Sequence, residues 1–260
     1  MSEFAETAVE AARIGGEVLL SRRGSRPTGV DEKGTNDFVT DVDRASERAV
    51  VEFLHRRHPD HAILAEEGET RAGSGGYRWI VDPLDGTTNY IHDYPFYSVS
   101  VGLWREDEGV AGAILDPVRG EMFHAERGCG AWLNDERIEI SGADGLRGSL
   151  LVTGFPFRML DKIEPYLRSF GDLLARCAGV RRDGSAALDL CYVACGRLDG
   201  FWELGLSAWD LAAGVVILQE AGGRVTDYEG EDGYMGSGNI VAAGPGVHAE
   251  MLEVLRKHHG

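Results

Sequence analysis

Two carboxylates three positions apart, Asp82 and Asp85, stand in the stretch YRWIVDPLDGTTNY (residues 77–90), followed by Gly86 and two threonines. Acids held this close repel each other unless a cation or a proton lies between them. Two structural explanations compete with a site. Asp-Pro and Asp-Gly are ordinary turn dipeptides, and Asp and Thr both cap helices. What shifts the balance is the number of further acids at element edges. Asp37 precedes Phe38-Val39, Glu66 ends the apolar run of HAILAEEGE, and Asp82 ends the run Trp79-Ile80-Val81. Asp210 opens the apolar helix of AWDLAAG.

If these acids meet, hard divalent cations with oxygen ligands are the usual remedy, and Mg²⁺ takes carboxylates together with water and phosphate. No histidine-rich set of the zinc type is present; His124 and the His258-His259 tail read as packing or surface residues. A Mg²⁺ cluster points to phosphate chemistry. Two such ions about 4 Å apart activate a water, hold the phosphate and stabilise the leaving oxygen. Gly86-Thr87-Thr88 then gains a second meaning. It opens a helix whose free N–H groups receive a phosphate, glycine allows close backbone approach, and a threonine hydroxyl beside a carboxylate orients an attacking water.

The elements that must position these residues follow from periodicity. MSEFAETAVEAARIGGEVLL reads as an amphipathic helix with Phe4, Ala8, Ala11, Ala12, Val18 and Leu19 inside. A short strand pair is expected around Val30 and Phe38-Val39. Thr40, with Asp43 three residues on, caps a helix that ends before Pro59. From Phe96 to Ile140, short apolar runs separated by Gly and Asp turns predict an antiparallel meander. From about Leu146, strand and helix patterns alternate, which is an α/β arrangement. The expected division is 1–145, an α+β subdomain with most of the acids, and 146–260, an α/β subdomain carrying Asp210. The 260 residues are 43% hydrophobic, enough for a substantial core.

With these residues in place, the sequence resembles the inositol monophosphatase family, within the lithium-sensitive, Mg²⁺-dependent phosphatase superfamily. WIVDPLDGTTNY is similar to that family's central motif, D-P-[IL]-D-G-T-[TS]-N, and WDLAAGVVILQEAGG to its second, W-D-x-A-A-G…E-A-G-G. DFVTDVD and LAEEGE fall in the family's order, and RRDGSAALDLCYVACGRLDGFWELGLSAWD resembles bacterial members in particular. The resemblance runs from the first helix nearly to the C-terminus.

It implies a layered α-β-α-β-α sandwich of the inositol monophosphatase/fructose-1,6-bisphosphatase type, with the site between the halves. It implies two to three Mg²⁺ ions: Glu66, Asp82 and the Leu84 carbonyl at the first, Asp82, Asp85 and Asp210 at the second, and Glu66 again at a third. The implied catalytic residues are Asp37 and Thr87, which activate the water, together with Glu66. Gly86 and Thr87 amides would cradle the phosphate, Glu203 and Asp210 would contact the sugar alcohol, and Gly184, Ser185 and Ala186 would form the turn beside its ring. Lys33 stands where relatives often carry a lysine. One departure is Gly68, where many relatives have Ser or Thr.

The implied activity is hydrolysis of inositol 1-phosphate in the cytoplasm by a homodimer. Fructose-1,6-bisphosphatase, adenosine 3′,5′-bisphosphate nucleotidase and histidinol-phosphatase share the metal residues and remain alternatives. So does a binding role with the transcription machinery, for which Arg181 and Arg182 offer a surface, with nucleic acid or a transcription factor as partner.

Charge and cysteine content narrow the class further. No apolar run reaches the roughly 20 residues of a membrane helix, and the N-terminus lacks the basic start of a secretory signal. Cys129, Cys177, Cys191 and Cys195 form no C-x-x-C pair and read as buried reduced thiols. The net charge of −17 disfavours nucleic acid without a local basic patch. Lys33, Lys162 and Lys257 are the only lysines. Such an acid-rich, lysine-poor composition suits concentrated salt, where like charges are screened. The melting temperature is therefore expected to hold or rise as NaCl is taken to molar levels. A steady fall in a thermal scan would refute the salt adaptation.

Overall fold

The computed structural model describes residues 1–24, 29–34, 37–68, 70–157 and 159–259; the side chains of Lys33 and Asp37 lie outside the described residues. The chain opens with α1 (Glu3–Arg22), a short pair β1 (Asp31–Gly34) and β2 (Asp37–Val39), and α2 (Asp41–Arg57). There follow β3 (Ala62–Ala65), β4 (Tyr77–Asp85), α3 (Thr87–Ile91), β5 (Ser98–Arg105), β6 (Glu108–Asp116), β7 (Glu121–Glu126), β8 (Gly130–Leu133) and β9 (Glu136–Ile138). The second half holds β10 (Leu150–Thr153), α4 (Ile163–Arg176), β11 (Gly179–Arg181), α5 (Ala186–Ala194), β12 (Gly200–Glu203) and α6 (Ala208–Glu220). It closes with β13 (Arg224–Thr226), α7 (Tyr234–Ser237), β14 (Ile240–Ala243) and α8 (Pro245–His259).

Among the described residues, β3 to β9 form a seven-stranded sheet in sequence order, and a five-stranded sheet runs β11-β10-β12-β14-β13. From β4 to β9 every pairing is antiparallel, as the meander pattern predicts. The layering follows from side-chain alternation. On β4, Trp79 and Val81 pack with α1 and α2, while Ile80 between them joins the core of α5 and α6. In the other sheet, Val152 and Phe201 face α5 and α6, whereas Leu151 and Trp202 face α4 and α8. The order is α1/α2, large sheet, α5/α6, small sheet, α4/α8, which is the α-β-α-β-α sandwich.

Several local expectations shift in physically simple ways. The face of α1 against the sheet is built of Ala5, Ala8, Ala11, Ala12, Gly15 and Gly16, so Phe4 and Val18 sit half-buried at its margins rather than inside. Thr40 caps α2 in a reciprocal box with Asp43. The four cysteines are all free, but Cys129 is exposed in the β7–β8 turn and only Cys191 is fully buried, so burial of all four is corrected. Among the described residues, no helix is long and apolar enough to cross a membrane.

The strands of the large sheet lie within 62–138 and those of the small one within 150–243, but the core is not divided there, because α6 packs against both. Residues 210 to 218 of α6 are all buried, as befits a helix that is apolar nearly all round. It lies so close to the large sheet that glycine is needed opposite. A Cβ on Gly112 would come 2.7 Å from the Ala213 carbonyl oxygen, and one on Gly102 2.9 Å from backbone of Ala212. Trp104 Nε1 donates to the Ala212 carbonyl at 3.0 Å. Since α6 carries Asp210 in its first turn, these contacts also set the place of that acid. Gly112→Ala is expected to cost about 1–3 kcal/mol, the usual range for overpacking a well-filled core. Gly171→Ala, with open space at its Cβ on α4, should be neutral or mildly stabilising. Urea denaturation checks both, and equal effects at the two positions would contradict the close-packing argument.

Candidate active site

The two acids that open the sequence argument are turned toward one place by a bulge. Asp82 pairs with Ser100 on β5, and Asp85 with Ser98, so three steps on β4 match two on its neighbour. Residues three apart on a regular strand face opposite sides. The extra residue re-aims the chain, as bulges do beside sites. The strand therefore does not stop at Asp82; it runs through to Asp85. Asp82 and Asp85 are 1% and 8% exposed. Each of Asp82, Asp85 and Asp210 brings a carboxylate oxygen within 4.8 Å of the other two.

Other elements lock this triangle. Leu84 N donates to Asp82 Oδ1 at 3.0 Å. From the second half, Ser185 Oγ and Ala187 N donate to Asp85 Oδ2 at 2.5 and 2.8 Å, so the start of α5 holds that oxygen. Ser207 N donates to Asp210 Oδ2 at 2.7 Å and fixes the first turn of α6. Asn89 ties the halves together, its Nδ2 donating to the carbonyls of Phe96 at 2.7 Å and Asp183 at 2.8 Å. Gly86 starts α3 at φ 94°, a left-handed conformation that favours glycine.

Thr87 is placed by a residue that carried only a capping role in the sequence. Its hydroxyl donates to Asp43 Oδ1 at 2.9 Å and also lies 3.1 Å from the Leu84 carbonyl. Asp43 is wholly buried, and its other oxygen accepts from the Thr40 amide at 2.9 Å and from the Thr40 hydroxyl. Burial pushes the Asp43 carboxyl above its ordinary range, against the pull of the Thr40 and Thr87 hydrogen bonds. The partner that the sequence argument gave Thr87 was Asp37, whose side chain lies outside the described residues.

A cavity of about 390 Å³ opens over the cluster and is lined by Glu66, Asp82, Leu84, Asp85, Thr87 and Asp210. Gly184, Ala186, Glu203, Asp189 and Arg182 line it as well. Ser185 lines it too, but is 1% exposed and serves as N-cap of α5. Glu203, at the end of β12, is 8% exposed. A Cβ on Gly154 would fall within 1.9–2.2 Å of its three carboxyl atoms, so glycine at 154 leaves that carboxyl its place.

A model of the inositol monophosphatase family matches residues 1–259. The Nus factor SuhB of Pseudomonas aeruginosa is 45% identical, over 99% of this chain and 97% of its own. Among solved structures, extragenic suppressor protein suhB from Bartonella henselae superposes with a TM-score of 0.95 at 40% identity, over 98% of this chain and 99% of its own. Inositol monophosphatase from Anabaena sp. PCC 7120 gives 0.87 at 41% identity, over 98% and 96%. The chain belongs to the inositol monophosphatase family.

The cavity brings together Glu66, Asp82, Leu84, Asp85, Gly86, Thr87, Gly184, Ser185, Ala186, Glu203 and Asp210 of the residues singled out in the sequence. Two residues of this family member escaped that reading. Asp43 was legible as a helix cap, which hid its second contact from another element. Asn89 stands in the central motif, but nothing local shows that it bonds across to Asp183. The donor set fits a hard divalent cation: oxygens only, largely buried, and carboxylate in most positions. Family membership agrees with metal dependence.

The cluster's electrostatics give a measurable sign. Burial pushes Asp82 well above its ordinary value, reinforced by repulsion from Glu66, Asp85 and Asp210. Burial raises Asp85 from 3.8 to about 6, with the Ser185 and Ala187 hydrogen bonds opposing. A folded carboxyl that holds its proton more tightly than the unfolded one stabilises fully below the unfolded value and loses that contribution as pH rises through the folded value. In chelator, the stability of Asp85→Asn relative to wild type should therefore climb between about pH 4 and pH 7. A divalent cation should restore the wild type alone at the upper end. Urea midpoints across that range check it, and a difference flat in pH would contradict the buried-charge account.

Proposed function

We propose that the chain is a Mg²⁺-dependent phosphate monoester hydrolase whose substrate is a phosphorylated polyol, with inositol 1-phosphate first. The observation that carries this reading is the meeting of the Asp82–Asp85–Asp210 triangle with the Thr87–Asp43 hydrogen bond in one cavity. Glu66, Asp82 and the Leu84 carbonyl would hold one cation, and Asp82, Asp85 and Asp210 a second, with Glu66 also at a third. Bound there, such ions supply charge neutralisation to the phosphoryl oxygens and lower the pKa of water.

The chain's own groups do the rest. Thr87 donates its proton to Asp43 and so keeps its lone pairs for the proton of a water. As that water attacks phosphorus and the ester P–O bond breaks, Thr87 takes the water's proton and passes its own to Asp43, while the leaving alkoxide takes a proton from a solvent water and departs as the alcohol. A buried carboxylate whose pKa lies above the ordinary range is the better base for that task. The Gly86 and Thr87 amides face the phosphate, and the left-handed turn at Gly86 brings the backbone close. Gly184, Ser185 and Ala186 form the wall beside the ring, and Glu203 and Asp210 accept from substrate hydroxyls. The reading includes a cytoplasmic homodimer, as the family resemblance implies.

Fructose 1,6-bisphosphate, adenosine 3′,5′-bisphosphate and histidinol phosphate are the competing esters, and fold alone does not choose among them. A second reading has its own observation: a relative 45% identical along nearly its whole length is named a Nus factor. That supports a partner in the transcription machinery, alone or beside catalysis.

Phosphate release from the four esters, with and without Mg²⁺ and lithium, tests the assignment. Preference for inositol 1-phosphate is expected, and silence on all four would move the binding role to the front. Within the site, Asp82→Asn should abolish cation-dependent turnover. Asp43→Asn and Thr87→Ala should each lower kcat by about 10²–10⁴, as loss of a general base does. Asp37→Asn should stay within a few-fold of wild type. The reverse order, with Asp37→Asn crippled and Asp43→Asn active, would return the water-activating role to Asp37.

A further inference from the structure

One acid in the cavity wall has no part in the chemistry above. Asp189 stands in α5, is 1% exposed, and lines the same cavity as Glu203, the acid that acts on it most strongly. Among the described residues, its Oδ1 is buried with no hydrogen-bond partner. A buried polar atom left unpaired carries its full desolvation cost, and native structures keep few of them. Local structure does not account for it. The cap of α5 is Ser185, whose Oγ accepts from Leu188 N at 3.4 Å. The flanking residues Leu188 and Leu190 are wholly buried core.

The surroundings say what would satisfy it. Besides Glu203, the acids that act on Asp189 are Asp183 and Asp85, and the opposing cation is Arg182. Burial and these acids push its carboxyl well above the ordinary range. A carboxyl oxygen accepts a hydrogen bond whether or not the group is protonated, and an alcohol supplies the donor. Phosphate is acceptor-rich and, on the functional reading, belongs with the Asp82–Asp85–Asp210 cluster. A further cation is disfavoured by Arg182.

We propose that Asp189 is a specificity-determining residue: its unpartnered Oδ1 takes a ring hydroxyl of the substrate beside the one taken by Glu203, so the site selects phosphate esters of polyhydroxylated rings. This rests on the reading of the cavity as a phosphomonoesterase site and deepens it. The wall is shaped for both acids, since Gly154 leaves room for the Glu203 carboxyl and Asp189 sits buried in α5. A site that pairs a buried polar group with a substrate hydroxyl discriminates against the analogue lacking that hydroxyl, because the group is then left unpaired.

The test compares wild type with Asp189→Leu and Asp189→Asn on two esters, inositol 1-phosphate and cyclohexyl phosphate. Wild type should prefer the inositol ester. Asp189→Leu should lose about tenfold to a hundredfold in kcat/KM on it while staying within about twofold on cyclohexyl phosphate. Asp189→Asn, which keeps a hydrogen-bonding head, should retain most of the preference. The leucine variant should also melt higher than wild type, since an unpaired buried acid has been removed; a merely structural acid would give the opposite. Equal losses on both esters, or an unchanged preference as expected if Asp189 holds only a buried water, would overturn the proposal. Asp189→Ala reads the same quantities should the leucine variant not fold. If wild type hydrolyses neither ester, the functional reading fails by itself, and Asp189 is judged by thermal shift with myo-inositol and inorganic phosphate. A rise in melting temperature for wild type and not for Asp189→Leu supports it; a rise in both or in neither overturns it.

Discussion

The repulsion among Asp82, Asp85, Asp210 and Glu66 is the constraint on which the rest of the site depends. Three of these acids place oxygens within 4.8 Å of one another, and Asp82 and Asp85 are almost fully removed from water. Left to itself, such an arrangement spreads apart or takes up protons. Here the backbone denies it the first escape. Asp82 and Asp85 are fixed by a bulge in a strand that is paired on both sides, and Asp210 by the first turn of a helix with no free face. A cluster that cannot relax keeps its affinity for cations, so rigidity of the scaffold and strength of the site are one property.

That rigidity is built from both halves. Asp82 and Asp85 come from the large sheet, Asp210 and Glu203 from the second half, and Ser185 and Ala187 reach across to Asp85. Helix α6 links the layers: it touches β5 and β6 through Gly102 and Gly112, and β13 on its other side. A single methyl at Gly112 would press on the backbone two turns or less from the acid it carries. Asn89 adds a polar tie where the cavity opens. The cavity is therefore a feature of how the layers stack, and neither sheet encloses it alone.

This explains which parts were legible in the sequence. The strands and helices follow from periodicity, and the acids from their unusual places at element ends. Motif resemblance supplied the site as a set. What periodicity cannot show is a second contact from a residue already accounted for. Asp43 satisfies the capping of α2 through one carboxylate oxygen, and Thr40 three residues earlier explains it locally. Its other oxygen meets Thr87, 44 positions away. Asp37 was assigned that contact by the motif resemblance, and its side chain lies outside the described residues. The bulge was hidden for a related reason: register is a property of two paired strands, and the sequence of β4 alone reads as an end at Asp82.

Asp43 and Asp189 show the same physical economy from two directions. Both are buried acids pushed above the ordinary carboxyl range, chiefly by burial. Asp43 has every local hydrogen bond it needs, and that satisfaction aims its remaining capacity at Thr87. Asp189 has an oxygen with none among the described residues, in the cavity where a substrate ring would sit. A fold selected for stability alone has little reason to keep the second, since an apolar side chain of similar volume would fill the same space without an unpaired atom. Its presence is easier to understand if the missing partner arrives with the ligand. The same logic applies to the acids of the cluster, whose repulsion a bound cation would relieve without protonation. In each case the uncomplexed protein stores an unfavourable contact, and binding releases it.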